Sequence, residues 1–404
     1  MNRPLKIQFF RISFTFVVAL LWVRNSAFSQ TLPVNPNATA EAKMLLKYLH
    51  SIKGKGILSG QTDYVDGDKA EKNILTDVGK KPAIYGNDFG WGGQGSITLA
   101  IDKWKSEKAI PYFCWHACPP SWNESACAWT DINKGQPEGF LDNILKAGTV
   151  DNKNWLARID RVAGFLKQAQ TSGVPVLWRP FHEMNGNWFW WCQQSRFPEL
   201  WIQMYDRLTH FHGLNNLLWV YSANFPQDPV EKYYPGQNYV DILGLDIYEN
   251  YGASYTDALY AALVKLANGK PIGITENGKI PPLDMFKTKQ PDYVFFVTWV
   301  RFQNGGETSE NSLPWTQATY SNPYLLTRDE IDFSKITALF KPQNRNLPNS
   351  GKPNQILTLF PGARLPSSGE VYSLQAQRIK HSGKQQNAVT PMVLRSSEVI
   401  KTKK

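Results

Sequence analysis

The sequence lacks most of the motifs that identify common catalytic and binding classes. It has four cysteines and no CxxC pair, so a cysteine-based zinc site is not expected. It also has no GxSxG nucleophile elbow and no glycine-rich phosphate loop ahead of a helix. His182 and Glu183 do not begin an HExxH metal motif, because position 186 is glycine. These absences leave chemistry that depends on carboxylates, with no metal or other cofactor expected.

The centre of the chain lacks a net positive charge, although the net charge of the whole chain is +10. Residues 341–404 carry eleven basic groups against two acidic ones, and residues 1–30 carry four basic groups and no acidic one. Residues 31–340 therefore hold 29 basic and 32 acidic residues. Such a body lacks the basic footprint of a nucleic-acid-binding protein, so no nucleic-acid partner is expected.

The first 29 residues have the pattern of a secretory signal peptide. Three basic residues precede the apolar run FTFVVALLWV, which is too short to span a bilayer comfortably. Ala27-Phe28-Ser29 is a small-x-small cleavage site ahead of Gln30. We therefore expect a secreted or periplasmic protein without stable membrane insertion. An uncleaved membrane anchor is the alternative.

Export permits disulfides, and two of the four cysteines are well placed for one. Cys118 and Cys127 bracket a short proline-containing loop, so they are the expected pair. Cys114 lies in an apolar run and Cys192 follows an aromatic run. The sequence leaves open whether these two pair or stay free.

Eight apolar runs of strand length recur along the chain, and most end in polar residues. They span 56–61, 81–88, 109–116, 174–183, 216–224, 241–248, 271–276 and 293–299. Segments whose apolar residues recur with helical spacing lie before and between these runs, and helices are predicted over 40–49, 154–173, 198–212 and 256–267. Continuously apolar runs are typical of parallel strands buried on both faces. An α/β fold, a (β/α)8 TIM barrel, is predicted, since the count of eight favours it over an open doubly wound sheet.

The barrel is predicted to form a single catalytic domain over residues 30–340. Residues 341–404 are rich in Pro, Gly, Ser, Gln and Lys and have no clean periodicity. Such a composition predicts a basic, disordered tail. A small appended module or a surface-binding patch is the alternative.

Polar side chains at the strand ends are expected to converge at one mouth of the barrel, where such folds have their active sites. The set comprises Gln61, Asp88, His116, Arg179, His182, Glu183, Asn185, Tyr221, Asp246, Tyr248, Glu276 and Trp299. It includes a pair of carboxylates, Glu183 after the fourth run and Glu276 after the seventh. Glycoside hydrolysis requires two such groups, one to protonate the leaving oxygen and one to attack or to activate water. The pair would supply all the chemistry without a cofactor.

The run RPFHEMNGNWFWW, Arg179 to Trp191, resembles the signature of glycoside hydrolase family 26, the β-mannanases. The ITENG run around Glu276 falls where that family has its nucleophile, and the resemblance covers roughly residues 40–340. It implies the barrel fold, Glu183 as acid/base and Glu276 as nucleophile. The Cys-bearing insertion after His116 and the tail depart from the family pattern.

The resemblance also implies roles for five further residues. His182 would lie beside the acid/base and orient the nucleophile and sugar, and Tyr248 would donate a hydrogen bond to the nucleophile. Trp188 would be an aromatic platform of the cleft and Trp299 would lie under the sugar at the cleavage point. His116 would bind sugar.

The residues themselves leave other roles open. Arg179 either pairs with a catalytic carboxylate or supports the barrel rim, and Asn185 either contacts sugar or belongs to a turn. Trp115 stacks in the cleft or packs beneath it. Asp88 and Trp91 either shape distal subsites or are structural. Asp246 is expected to support Tyr248.

The predicted function is a secreted, retaining endo-β-1,4-mannanase that acts on mannan, glucomannan or galactomannan by double displacement. The polysaccharide is its expected partner, and the protein is expected to be a monomer. Alternatives on the same site are a β-1,3-xylanase, a mixed-linkage glucanase or an exo-mannobiohydrolase. A non-catalytic carbohydrate-binding protein is a further alternative, but it would usually have lost one carboxylate.

Overall fold

The computed structural model describes residues 32–63, 69–90, 93–225, 230–248, 254–299, 311–334, 370–372 and 378–380. The predicted signal peptide, Trp91 and most of the predicted tail lie outside the described residues. The chain divides into two units, 1–342 and 343–404. In the second unit, Glu370–Tyr372 and Arg378–Lys380 pair as antiparallel strands. Disorder in the remainder of the tail stays a prediction.

The described strands of the first unit form one parallel sheet. They are β1 Ile57–Leu58, β2 Gly60–Thr62, β3 Ile84–Asp88, β4 Ile110–Trp115, β5 Val176–Pro180, β6 Leu217–Asn224, β7 Ile242–Ile247, β8 Ile272–Asn277, β9 Tyr293–Thr298 and β10 Leu325–Leu326. From β2 to β9 each strand pairs in parallel with the next.

The sheet closes because β9 also pairs with β1 and β2. Only Ser59 separates β1 from β2, and together they form the first barrel strand. The strands β5 and β8 are therefore the fourth and seventh of eight. The predicted (β/α)8 TIM barrel is confirmed, and β10 adds a parallel pairing to β1.

Helices surround this barrel. They are α1 Ala40–Ile52, α2 Lys69–Val78, α3 Gly93–Glu107, α4 Trp129–Ile132, α5 Leu141–Leu145, α6 Val150–Thr171, α7 Phe197–Asp206, α8 Asp257–Ala267, α9 Leu283–Thr288 and α10 Leu313–Tyr320. The helix predicted over 198–212 is α7 followed by one π-helical segment, Arg207–Phe211. Within the described ranges, no helix combines the length and the apolarity needed to cross a membrane.

The helix α6 illustrates how the outer layer forms. The Thr149 side chain accepts a hydrogen bond from the backbone N–H of Asn152, which caps the first turn. Its buried stripe includes Trp155, Ile159, Val162, Leu166 and Ala169. Burial of one such large apolar side chain stabilises the fold by about 1.5–3 kcal/mol. The helix stops where Gly173 takes a φ of +69°, a conformation that favours glycine.

Residues alternate between the two faces of each barrel strand. In β5, Leu177 belongs to the core that fills the barrel, whereas Val176 and Trp178 belong to the layer between barrel and helices. Arg179 follows Leu177 by two positions and therefore shares its inward face. This alternation determines which strand-end side chains reach the mouth.

Candidate active site

Glu183 is presented by a tight turn that follows β5. Both Phe181 and Glu183 have positive φ angles, 52° and 57°, which are costly for residues other than glycine. The turn is held by a hydrogen bond from the Glu183 backbone N–H to the Ser222 carbonyl, 2.9 Å, and by burial of the Phe181 ring against Trp155. Strain of this kind is concentrated at functional positions.

The carboxyl group of Glu183 is largely buried, with 8% of the residue exposed. The indole N–H of Trp188 donates to its Oε2 at 2.7 Å. Burial, reinforced by the charges of Asp246 and Glu276, raises the pKa of Glu183 well above its ordinary value, against the opposing effects of Arg179 and Trp188. A carboxyl group that keeps its proton near neutral pH can act as a general acid.

Glu276 lies near the end of β8 in a different environment. The Arg179 guanidinium donates to its Oε2 at 2.9 Å, and the Tyr248 hydroxyl donates to its Oε1. Burial and the charges of Glu276 and Glu183 raise the pKa of Tyr248 well above its ordinary value, so this hydroxyl keeps its proton. Two donors aimed at one carboxylate stabilise its charged form. Such an arrangement is the one that a nucleophilic carboxylate requires.

Arg179 is fully buried and bridges two carboxylates. Its second terminal nitrogen pairs with Asp246, whose other oxygen accepts from the hydroxyls of Ser222 and Thr275, each at 2.8 Å. Burial raises the pKa of Asp246 to about 7, although Arg179 acts to lower it. Asp246 was expected to support Tyr248, but its charged partner is Arg179. Of the two roles predicted for Arg179, it takes the pairing with a catalytic carboxylate and is inaccessible to sugar.

His116 and His182, which follow β4 and β5, contact each other. Their Nε2 atoms are 3.0 Å apart, and the Asp88 carboxylate pairs with Nδ1 of His116. Burial, then the charges of Arg179 and His116, lowers the pKa of His182 well below its ordinary value, so its ring is neutral. Asp88 is fully buried behind His116 and does not line a distal subsite.

Three of the residues predicted to line the site have half-buried side chains at the mouth. Trp188, Tyr248 and Trp299 are all partly exposed. The Trp299 ring lies 5.8 Å from that of His116, between centroids. A Cβ atom at Gly186 would lie 2.6 Å from the Trp188 ring, so the glycine of the motif permits this indole to fold back towards Glu183.

Trp115 and Asn185 were left open between a sugar contact and a structural role, and for both the structure favours the structural role. Trp115 is 2% exposed and stacks on Trp155 with ring centroids 5.4 Å apart, in the layer between barrel and helices. Asn185 is 1% exposed, and its amide bonds both the carbonyl and the N–H of Asn224, each at 2.7 Å. Trp115 is therefore a core residue, and Asn185 joins the motif to β6.

Trp129 is a site residue that sequence analysis missed. It is 44% exposed, and its ring lies 5.4 Å from His116 and 5.9 Å from Phe189, between centroids. It begins α4, in the insertion after His116. A tryptophan two residues after a disulfide cysteine, in a loop that follows a strand-end histidine, was the signal available in the sequence.

The insertion that carries Trp129 is firmly attached to the barrel. Cys118 and Cys127 form the predicted disulfide, whereas Cys114 and Cys192 are free and buried. The buried Arg158 on α6 donates to three carbonyls of the loop, those of Cys118, Pro119 and Trp122. The exposed indole is thus held in place on the rim of the site.

Comparison with known proteins agrees with this geometry. The model of glycosyl hydrolase family 26 matches residues 34–330. A mannan endo-1,4-beta-mannosidase of Bacillus subtilis is 31% identical over 358 residues, which cover 79% of this chain and 95% of that protein. A mannan endo-1,4-beta-mannosidase of Thermothelomyces thermophilus is 32% identical over 322 residues, or 74% of this chain. The chain spans 62% of the length of that relative.

A solved structure, that of GH26A from Muricauda sp. MAR_2010_75, superposes with a TM-score of 0.68 and 37% identity. The match covers 74% of this chain and 99% of that one. The family model covers most of the barrel unit, including both carboxylates of the site. The chain is therefore a glycoside hydrolase that belongs to glycosyl hydrolase family 26.

Proposed function

We propose that the protein is a retaining endo-β-1,4-mannanase that hydrolyses mannan, glucomannan or galactomannan by double displacement. The observation that supports the proposal is that the two carboxyl groups lie in different environments. Glu276 receives donors from Arg179 and Tyr248, which favour its charge, whereas the buried Glu183 has a raised pKa. One group is suited to attack and the other to donate a proton.

In the first step, the Glu276 carboxylate attacks the anomeric carbon while Glu183 gives its proton to the departing glycosidic oxygen. The C–O bond to the leaving sugar breaks, and a covalent glycosyl–enzyme ester forms at Glu276. Arg179 and Tyr248 hold the attacking oxygens in place beforehand, so little reorganisation is needed in the transition state.

In the second step, Glu183 acts as a base. The ester at Glu276 carries no charge, which removes one of the two carboxylate charges that raise the pKa of Glu183. Glu183, now ionised, takes a proton from water, and the water oxygen attacks the anomeric carbon and releases Glu276. Two inversions give net retention, for which the two carboxyl groups should lie about 5–5.5 Å apart.

The aromatic rim supports a polysaccharide substrate. Trp129 and Trp299 lie next to His116, and Trp188 bonds to Glu183. All three indoles are at least partly exposed and offer flat apolar faces to sugar rings. The specificity for β-1,4-mannan rests on the two curated relatives, which are both named mannan endo-1,4-beta-mannosidases. The barrel alone would not distinguish this substrate, because fold does not determine specificity.

A substrate panel tests the proposal. Purified protein and its Glu276→Ala variant would be incubated with mannan, glucomannan, galactomannan, β-1,3-xylan and mixed-linkage glucan, and products would be sized by chromatography. We expect mannan-containing polymers to be cleaved to mixed oligosaccharides by the unsubstituted protein alone. Mannobiose as the sole early product would contradict endo action, and mannan hydrolysis by Glu276→Ala would contradict the nucleophile.

We also propose that the protein is exported with cleavage before Gln30. The Cys118–Cys127 disulfide supports this, because such bonds persist in oxidising compartments. N-terminal sequencing of protein recovered from the medium or periplasm should begin at Gln30. Recovery of full-length protein in the membrane fraction would favour the uncleaved anchor.

A further inference from the structure

A buried chain of four polar side chains runs behind the mouth of the barrel. The Cys114 thiol lies 3.0 Å from Oδ2 of Asp88, and Nδ1 of His116 bonds to the same oxygen. The far nitrogen of His116, Nε2, lies 3.0 Å from Nε2 of His182. None of these residues is more than 3% exposed. The chain therefore connects a carboxylate outside the reaction centre to the residue next to Glu183.

Asp88 is held in one orientation and one charge state. Its Oδ1 accepts from the backbone N–H groups of Gly90, at 2.6 Å, and His116, at 3.2 Å. Burial acts to raise the pKa of Asp88, but the charge and hydrogen bond of His116 and the bonds from Cys114 and Gly90 lower it overall. An ionised carboxylate only accepts hydrogen bonds, so Nδ1 of His116 must carry a hydrogen.

Because the two imidazoles contact each other, the hydrogen on Nδ1 of His116 also determines the tautomer of His182. When both rings are neutral, His116 has a hydrogen on Nδ1 and a bare Nε2, which can only accept. Nε2 of His182 must then be the donor, and Nδ1 of His182 must be bare. That Nδ1 atom is buried without a hydrogen-bond partner among the described residues. With both rings neutral, one arrangement of protons thus satisfies the whole chain.

The same cluster could be considered as a metal site, since donor atoms of Asp88, Cys114 and His116 lie within 4.8 Å of one another. However, the Cys114 sulfur is 3.0 Å from the Asp88 oxygen, and the His116 nitrogen contacts that oxygen directly. Tetrahedral ligands at zinc bond lengths would be about 3.4 Å apart or more. The donor atoms touch one another, as hydrogen-bonded groups do.

We propose that Asp88 is a positioning residue that sets the tautomers of both site histidines. It thereby determines whether Nδ1 of His182, the residue that precedes Glu183 in the chain, has a lone pair or a proton. The consequence for catalysis rests on the proposed function of Glu183 and Glu276. The assignment of the tautomers stands on the hydrogen-bond geometry alone.

The substitution Asp88→Asn reverses the direction of the hydrogen bonds that join residue 88, His116 and His182. The two backbone donors on Oδ1 keep the amide oxygen at that position, so the amide NH2 takes the place of Oδ2 and faces His116. Nδ1 of His116 must then be bare and its Nε2 must carry the hydrogen. His182 is forced to accept on Nε2 and to carry its hydrogen on Nδ1. The change is nearly isosteric, so it isolates the proton arrangement from packing.

Nitrogen NMR of the full chain, selectively labelled with 15N-histidine, reads the tautomers directly. At about pH 8.5, where histidine is ordinarily neutral, we expect His116 to be protonated on Nδ1 and His182 on Nε2. Both assignments should exchange in Asp88→Asn and stay unchanged in the control Cys114→Ala, which removes the thiol from the same carboxylate. A His182 ring protonated on Nδ1 in the unsubstituted protein would overturn the proposal, even if Asp88→Asn failed to fold.

Kinetics supply the second readout. We expect kcat/KM on mannan to fall about tenfold or more in Asp88→Asn, with melting close to that of Cys114→Ala, since a wrong tautomer behind a catalytic site costs at least this much. Equal kcat/KM in the two variants would overturn the positioning role. If the unsubstituted protein hydrolysed no mannan while the tautomers exchanged as expected, the proposed function would fail and the tautomer assignment would remain.

Discussion

The guanidinium of Arg179 donates to Oε2 of Glu276 across 2.9 Å, from a position with no solvent exposure. The same guanidinium pairs with Asp246, so one rigid cation links Glu276 to a second buried carboxylate. A planar fork suits this bridge, whereas a lysine ammonium is a single point charge. The orientation of Glu276 therefore depends on a residue that sugar never touches.

Arg179→Lys should lower kcat on mannan by about 10²-fold, because one preorganised donor to the reacting carboxylate is lost. Steady-state kinetics measure this directly. The matched control is Arg196→Lys, an arginine that pairs with Asp142 and Glu199 on the surface, and it should keep unaltered kcat. Near-normal turnover in Arg179→Lys would show that the bridge is not needed.

The pKa of Glu183 gives a prediction about pH. Because burial and neighbouring carboxylates raise this pKa, the acid form persists to higher pH, and activity is lost as pH rises through it. The Trp188 indole bonds to the carboxylate and thereby lowers the pKa. Trp188→Phe should therefore raise the pKa further and shift the alkaline limb of kcat/KM to higher pH.

The control for this shift is Trp315→Phe, since that indole donates to the Ile280 carbonyl at 3.1 Å and lies on α10. It should leave the pH profile of kcat/KM in place. An alkaline limb that moved to lower pH in Trp188→Phe would contradict the assignment of Glu183 as the acid.

Trp129 should contribute to binding of the polymer. Replacing it by alanine removes an exposed ring from the rim, and we expect kcat/KM on mannan to fall about tenfold, a loss of about 1.4 kcal/mol. Hydrolysis of a short aryl mannoside should change less, because its single sugar occupies the cleavage point. Phe211→Ala, which removes another exposed aromatic, serves as control. Equal losses on both substrates would argue against a subsite role.

A buried ion cluster gives a prediction about stability. Glu71 pairs with Lys103 and with Arg328, both at 2.6 Å, and all three residues are buried. Glu71→Ala removes the carboxylate that these cations share and should lower the free energy of unfolding by about 3–5 kcal/mol. Urea denaturation measures it. Glu199→Ala breaks an exposed pair and should cost about 1 kcal/mol or less.

The barrel was predictable because its strands are buried on both faces, and this burial appears in the sequence as continuous apolar runs. The alternation of apolar runs and helical segments also predicted the order of strands and helices around the barrel. Details of backbone geometry could not be predicted from the sequence. The break at Ser59 between β1 and β2, and the π-helical segment that begins at Arg207, arise from local pairing that hydrophobic period does not encode.

For the site, strand-end position predicted that Glu183, Glu276 and Tyr248 would lie near one another, as they do in the structure. It did not predict which face of the strand a neighbouring residue occupies. Trp115 and Tyr221 lie near the ends of apolar runs, yet both belong to the layer between barrel and helices, because a shift of one residue along a strand exchanges its inner face for its outer face. The Arg179–Asp246 pair joins residues 67 positions apart, and no local pattern reports such a contact. Trp129 was missed because the path of an insertion cannot be derived from its composition.

The stereochemistry of the product tests the central claim most directly. Proton NMR of the first oligosaccharides released from mannan in heavy water distinguishes the two anomers before they equilibrate. Attack by Glu276 followed by water activated by Glu183 predicts that the β-anomer appears first and the α-anomer only later, by mutarotation. Initial release of the α-anomer would contradict double displacement and the assignment of Glu276 as nucleophile.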